Sequence, residues 1–550
     1  MIKKETIIFW IALLILVCKP FEDVESQVII KADKSISILQ DESWWVGIVN
    51  KGELMPIRHK PFSFNFFGDD NGNQTSPLLQ SDKGRYIWSE KPFRFSFRND
   101  SIILDKTYGE IMLGQNGSTL KSAYIYSCNN FFKPSGLMPD SLLITAPQYN
   151  LWIELMYNPN QEDVLNYALQ VEKNGFPAGV LMIDDNWSGY YGQFDFNKEK
   201  FPDAKALIDQ LHNMGYKVML WVCPFISPDS EAYRRLARQK LLLLDNDGKK
   251  EALYDNISKP LLVKWWNGYS ACLDLTNPGA VKWLTDKLDF LQIMYGVDGF
   301  KFDAGDAHFY NNPDMVSFKT ILPNEHSSLW AEIGLKYPLN EYRAMWKMGG
   351  QPLVERLRDK NHSWTDVQKL IPHMLSAGML GYPFSCPDMI GGGEIGSFTG
   401  TRNKLDQELI VRSAQIHALM PMMQFSVAPW RVLDSLHLSA VKKAVALRKK
   451  FVPQIMKLTR SSALSGEPIV RHLEYVFPNQ GFAEVKDQFM LGESLLVTPV
   501  VEKGKTTQMI RLPKLAKGKW KADDGKIYKG GITVQLDVPV DRLPYFEIVK

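Results

Sequence analysis

Between residues 148 and 303 the sequence alternates short apolar runs with longer amphipathic ones, and this rhythm restricts the fold more than any single motif. Residues 151–156, 178–183 and 217–222 read as strands, with helix-patterned segments at 161–172 and 204–214 between them. An irregular insertion follows the third strand, then a helix over 280–294 and a fourth strand ending at Asp303. Strands separated by helices at this spacing imply right-handed βαβ units and a parallel sheet. No G-x-G-x-x-G follows the first strand and no G-x-x-x-x-G-K-[ST] occurs, which disfavours a nucleotide-binding sheet. The expected fold class is α/β, a (β/α)8 TIM barrel.

The flanks have a different texture. From 27 to 147, short alternating segments such as 27–32, 62–66 and 86–97 are broken by turn residues, including Gly68-Asp69-Asp70-Asn71-Gly72-Asn73. That pattern predicts an N-terminal β-sandwich. The strand–helix alternation fades near 450, and 491–500, 509–512 and 532–538 predict a C-terminal all-β domain over 451–550. The barrel with its insertions is assigned to 148–450. Residues 1–26 begin Met-Ile-Lys-Lys-Glu-Thr and continue in an apolar run from Ile7 to Cys18. This run is shorter than the roughly 20 residues of a spanning helix, so the segment reads as a signal peptide or signal-anchor. An exported protein is expected, whether periplasmic, secreted or lumenal.

Composition excludes some classes. A formal charge of +3 over 550 residues, without a Lys/Arg block, offers no field for nucleic acid. The five cysteines show no C-x-x-C pair and no metal-ligand spacing, so they predict buried thiols and no metal site. No cofactor and no partner protein is implied, and a homo-oligomer is left open.

Three successive strand ends carry chemistry. The second runs into Asp184-Asp185-Asn186-Trp187, the third into Trp221-Val222-Cys223-Pro224, and the fourth is Asp298-Gly299-Phe300-Lys301-Phe302-Asp303-Ala304-Gly305-Asp306. In a barrel these ends converge on the C-terminal rim, where catalytic groups sit. Taken alone, Asp303 could equally cap the next helix. Beside Asp184, Asp185 and Trp221 it becomes one of several carboxylates able to grip sugar hydroxyls against an indole wall. Lys301 lies two residues earlier on the same strand and shares its face with Asp303, where its charge keeps the carboxylate ionised.

The segments Asp184-Asp185-Asn186-Trp187, Phe194-Asp195-Phe196-Asn197, Lys200-Phe201-Pro202-Asp203 and 211–217 resemble the second and third barrel units of glycoside hydrolase family 31. Phe300–Asp306 resembles that family's nucleophile strand, and His362-Ser363-Trp364-Thr365-Asp366 its acid/base loop. The Phe-Lys-Phe-Asp-Ala-Gly-Asp form, with 420–426, is similar to a branch with animal members associated with α-galactosidase-type activity. The resemblance implies a retaining, exo-acting α-glycoside hydrolase on carbohydrate substrates, with Asp303 as nucleophile and Asp366 as acid/base. Retention requires two carboxyls about 5–5.5 Å apart. Repulsion from Asp303 should raise the Asp366 pKa and leave it protonated at the start of each cycle.

The resemblance also implies sugar-binding roles for Asp184, Asp185, Trp221, Lys301, Arg356, Trp364 and Asp388. Asp388 is an alternative acid/base, Arg358 an alternative to Arg356, and Asp306 either a cap or a supporting partner of the nucleophile. Gln424-Phe425-Ser426 lacks the histidine that common α-glucosidases of the family carry, and Asp184-Asp185 departs from their Asp-x-Asp form. Both departures favour an α-galactoside. An α-glucosidase, α-xylosidase or transglycosidase on the same site, and a non-catalytic glycan-binding protein, are the alternatives.

Overall fold

Eight parallel strands close the central ring in the computed structural model, which describes residues 28–30, 34–58, 60–246, 259–400 and 405–550. The expected signal or anchor segment lies outside the described residues. The barrel strands are β1 (Gln148–Asn150), β2 (Val180–Ile183), β3 (Lys217–Val222), β4 (Gly299–Phe302), β5 (Asn340–Tyr342), β6 (Glu355–Arg356), β7 (Ser385–Cys386) and β8 (Gln424–Phe425). They pair in that order, and β8 returns to β1. β7 pairs with β6, while Met389–Ile390 just beyond it pairs with β8, so the chain between Cys386 and Met389 closes the ring.

The predicted (β/α)8 barrel is therefore present, with two local departures. The first strand is Gln148–Asn150, not 151–156; Trp152–Leu155 is one helical turn. Apolar residues there mimic a strand, but the barrel interior at this point is polar. Gln424 Nε2 donates to Gln148 Oε1 at 2.7 Å and to Glu341 Oε2 at 2.6 Å. Asn150 Oδ1 and Ser426 Oγ then accept from the Trp152 and Ile153 amides and start the turn. The second departure is that β5 and β6 are joined without a helix. Met345–Trp346 instead adds in parallel to the N-terminal strand Gln74–Ser81.

Helices surround the remaining strands: α1 (Gln161–Lys173), α2 (Ala204–Asn213), α3 (Pro278–Tyr295), α4 (Pro323–Gly334), α5 (Trp364–Gly378), α6 (Gln407–Ala418) and α7 (Ser435–Ser465). Side chains of Asn160, Asp203, Asn277, Ser363, Asp406 and Asp434 cap six of them by accepting first-turn amides. α7 runs through residue 450, where the barrel boundary was drawn from the sequence.

The N-terminal region is a sandwich of two largely antiparallel sheets, with Phe66, Phe93, Phe95 and Trp346 packed between them. It also contains the helix Leu120–Phe131, capped by Thr119, which the all-β reading missed. The C-terminal domain has its own apolar core around Met490, Leu496, Ile510, Trp520 and Phe546. Cys128, Cys223, Cys272 and Cys386 are buried free thiols, as the spacing predicted. Among the described residues no helix is long and apolar enough to cross a membrane.

Glu355 of β6 is fully buried, and burial drives its pKa well above the ordinary carboxylate range; the Ser385 hydroxyl offsets only part of this. A raised folded pKa contributes stability that is complete below the unfolded pKa and is lost as pH rises. A tenfold difference in acidity between the folded and unfolded states corresponds to about 1.4 kcal/mol. Glu355→Gln, which removes the proton equilibrium, should match the wild type in thermal unfolding near pH 4 and exceed it near pH 7.5. Equal pH slopes for the two proteins would contradict this.

Candidate active site

The C-terminal ends of β2 to β6 surround a cavity of about 320 Å³ lined by Asp184, Asp185, Trp221, Lys301, Asp303, Arg343 and Arg356, among others. Sharp turns aim the acids. After β4, Ala304 and Gly305 both have positive φ (56° and 76°), and after β2 Asn186 does the same at 72°. A left-handed alanine is uncommon and costly, and such backbone concentrates at functional sites. At Gly305 a Cβ would lie 2.1 Å from the Trp330 ring, so only glycine fits.

Asp303 is buried, and burial alone would raise its pKa. Arg343, Lys301 and Arg356, with a hydrogen bond from the Trp221 indole, outweigh that and hold it at about 2. Trp221 Nε1 donates to Oδ2 at 2.9 Å, the Ala304 amide donates to Oδ1 at 2.8 Å, and Arg343 Nε lies 3.3 Å from Oδ1. Asp303 is thus an ionised carboxylate at any ordinary pH. Lys301 acts on it through space: its ammonium pairs with Asp184 and stays charged despite full burial.

Asp185 sits in a second network. Its Oδ2 accepts from Asn267 Nδ2 at 2.8 Å and from the Tyr191 hydroxyl at 3.2 Å. Oδ1 has no hydrogen-bond partner among the described residues. Burial, then the neighbouring Asp184 charge, push its pKa up to about 7. A buried polar atom without a partner in a cavity wall is a place for a ligand donor. Asn267 stands at the tip of the hairpin formed by Leu262–Trp265 and Gly268–Cys272, inside the insertion after β3. Its Oδ1 accepts from the Tyr157 hydroxyl at 3.1 Å, so the tip reaches across to the loop after β1. Trp266 on the same tip and Tyr157 opposite are 45% and 41% exposed, giving the cavity two aromatic faces.

The structure separates the remaining sequence candidates. Asp366, Trp364 and Asp388 do not line the cavity. Asp366 lies in the first turn of α5, where its Oδ2 accepts from the Asn361 amide at 2.7 Å and its Oδ1 from Lys369 Nζ at 2.6 Å. Burial opposes ionisation, but these partners win and lower its pKa, the reverse of the expected raised value. Trp364 turns its indole to Asp406 Oδ2 at 3.0 Å. Asp388 is wholly buried behind the cavity, where burial raises its pKa and the Lys360 amide donates to it at 2.7 Å.

Several residues of the site escaped the sequence reading, among them Arg343, Asp359 and Glu394 in the cavity wall and Asn267 at the hairpin tip beside it. Asp359 lines the cavity with Asp303 and accepts from Arg356 Nη1. It follows β6 by three residues, a strand-end position like that of Asp303, which was the available signal. Arg343 and Asn267 had none: one follows a strand of only three residues, the other lies within an insertion. Arg356 faces Glu341, Asp359 and Asp388 together, so its charge is shared among three carboxyls. Arg358 lines the mouth and Asp306 grips Arg343. Gln424 and Ser426 are occupied beneath the site and do not line it, and no histidine lines it among the described residues.

Residues 147–458 match the model of the glycosyl hydrolases family 31 TIM-barrel domain, and 466–547 match the family 31 C-terminal domain. The chain is similar to the myogenesis-regulating glycosidase of Mus musculus, 32% identical over 445 residues covering 78% of this chain and 60% of that one. It is 23% identical to alpha-glucosidase 2 of Bacillus thermoamyloliquefaciens, covering 86% and 62%. The chain thus spans about three fifths of the length of these relatives. In fold it is similar to a Flavobacterium johnsoniae GH31 dextranase complexed with glucose, with TM-score 0.80, 21% identity and coverage of 94% and 66%.

Proposed function

The chain belongs to glycoside hydrolase family 31, and we propose that it is a retaining, exo-acting α-glycoside hydrolase that prefers α-galactosides. The observation that carries this reading is the buried Asp303 carboxylate, held ionised at about pKa 2 in a cavity that it shares with Asp359. Asp303 attacks the anomeric carbon from one face. Asp359 protonates the departing glycosidic oxygen, and the covalent glycosyl ester on Asp303 forms as that bond breaks. Asp359 then takes a proton from the incoming water, which displaces Asp303 and restores the original configuration. Asp366 is unsuited to the acid role, because it lies outside the cavity, held in the first turn of α5 by the Asn361 amide and Lys369. Asp388 favours the proton but is enclosed.

Exo action fits a cavity capped on one side by the hairpin tip, with Asn267 tied to both Tyr157 and Asp185. Galactose preference is supported by the free Asp185 Oδ1, paired carboxyls at Asp184 and Asp185, and the lack of a cavity histidine among the described residues. Similar proteins differ in activity, an alpha-xylosidase from Lactiplantibacillus pentosus among them, so specificity has to be measured. With 4-nitrophenyl α-galactoside, α-glucoside and α-xyloside, the α-galactoside should lead in kcat/KM by roughly tenfold or more. The first-formed sugar should be the α-anomer by NMR. Hydrolysis of the glucoside alone would overturn the galactose preference.

A further inference from the structure

Arg343 is the cation within ion-pair distance of the nucleophile, and its backbone is held by another domain. Its guanidinium spends Nη2 on both Asp306 oxygens at 2.6 Å and lies over the Trp266 ring at 4.7 Å. Its Nε points at Asp303 Oδ1 from 3.3 Å without completing a hydrogen bond. A charge placed this way is worth much in a water-poor site, and its value depends on its position to a fraction of an ångström.

The Arg343 carbonyl accepts two side-chain amides from the N-terminal sandwich, Asn73 Nδ2 and Gln74 Nε2, each at 2.8 Å. Both residues are fully buried. The following strand, Met345–Trp346, continues that grip by pairing with Gln74 and Thr75. Asp70, from the same sandwich loop, accepts from the Ala307 amide at 2.5 Å, and one of its oxygens lies within 4.8 Å of an Asp306 oxygen. Burial, then the Asp306 charge, push the Asp70 pKa well up. The loop is pinned in turn by Asn324 of α4, which accepts from the Gly68 amide and donates to the Phe66 carbonyl.

We propose that the N-terminal domain is a working part of the active site, with Asn73 and Gln74 as positioning residues that hold Arg343 against the nucleophile. Asp70 does the same for Asp306. The inference rests on Asp303 being the nucleophile. A merely structural domain contact would predict something different: loss of stability, with each folded molecule as active as before.

A double-mutant cycle in the full chain separates the two, using whichever aryl α-glycoside of the panel the wild type hydrolyses fastest. Asn73→Ala with Gln74→Ala should lower kcat roughly tenfold and leave KM within about threefold. In an Arg343→Ala background, itself slower by roughly a hundredfold, the same pair should change kcat by less than about twofold, because the effect passes through Arg343. Equal fold-losses in both backgrounds, or a wild-type kcat per folded molecule in the first, would overturn the inference. If the double variant does not fold, Gln74→Ala alone removes one of the two donors and runs the same cycle. Asp303→Ala distinguishes the failures. If it retains turnover, the reading of the nucleophile fails; if it abolishes turnover and the cycle is additive, this inference alone fails.

Discussion

Asp303→Ala should lower kcat by at least roughly 10⁴-fold, the scale on which loss of a covalent nucleophile is felt. The protein should nevertheless remain folded. Three cations lose a shared counter-charge, but each keeps another: Arg343 retains Asp306, Lys301 retains Asp184, and Arg356 retains Glu341, Asp359 and Asp388. The small void beside those cations should then admit an anion. Azide is expected to restore part of the rate on an activated aryl glycoside and to appear in the product as the β-glycosyl azide, since it enters from the nucleophile's face. Turnover within about tenfold of the wild type would remove Asp303 from the mechanism.

The part of the site that could be read from sequence is the part built on long buried strands. β3 and β4 are four to six residues of almost uninterrupted apolar chain, and an acid or indole at the end of such a run stands out. Asp184, Asp185, Trp221, Lys301 and Asp303 were found this way and meet around one cavity. From β5 onward the strands shrink to two or three residues, too few for a period of two to register. Their interior faces are also polar, carrying Glu341, Arg356 and Gln424. Without a strand to count from, Asp359 looked like loop, and the W-x-D pattern drew attention to Asp366. A first-turn carboxylate three residues after a serine cap is also what an ordinary helix start looks like. The same blindness hid Arg343, whose importance comes from contacts with residues some 270 positions away.

The acid/base assignment yields the other large expected effect. Asp359→Ala should lose roughly 10²- to 10⁴-fold on a substrate with a sugar leaving group, which cannot depart unprotonated. On a 2,4-dinitrophenyl glycoside, which needs no proton to leave, glycosylation should be nearly intact and hydrolysis of the ester should become limiting. Azide should then accelerate turnover and give the α-glycosyl azide, the opposite anomer from that expected with Asp303→Ala. Asp366→Ala should show none of this dependence on leaving group. Its carboxylate binds the Asn361 amide and Lys369 at the start of α5, so its removal should cost about 1 kcal/mol of stability and a modest, substrate-independent loss of rate. The reverse pattern, with leaving-group dependence and α-azide formation at Asp366→Ala and not at Asp359→Ala, would return the acid/base role to Asp366. It would also require α5 to move its first turn into the cavity, because in this structure Asp359 lines the cavity with Asp303 and Asp366 does not.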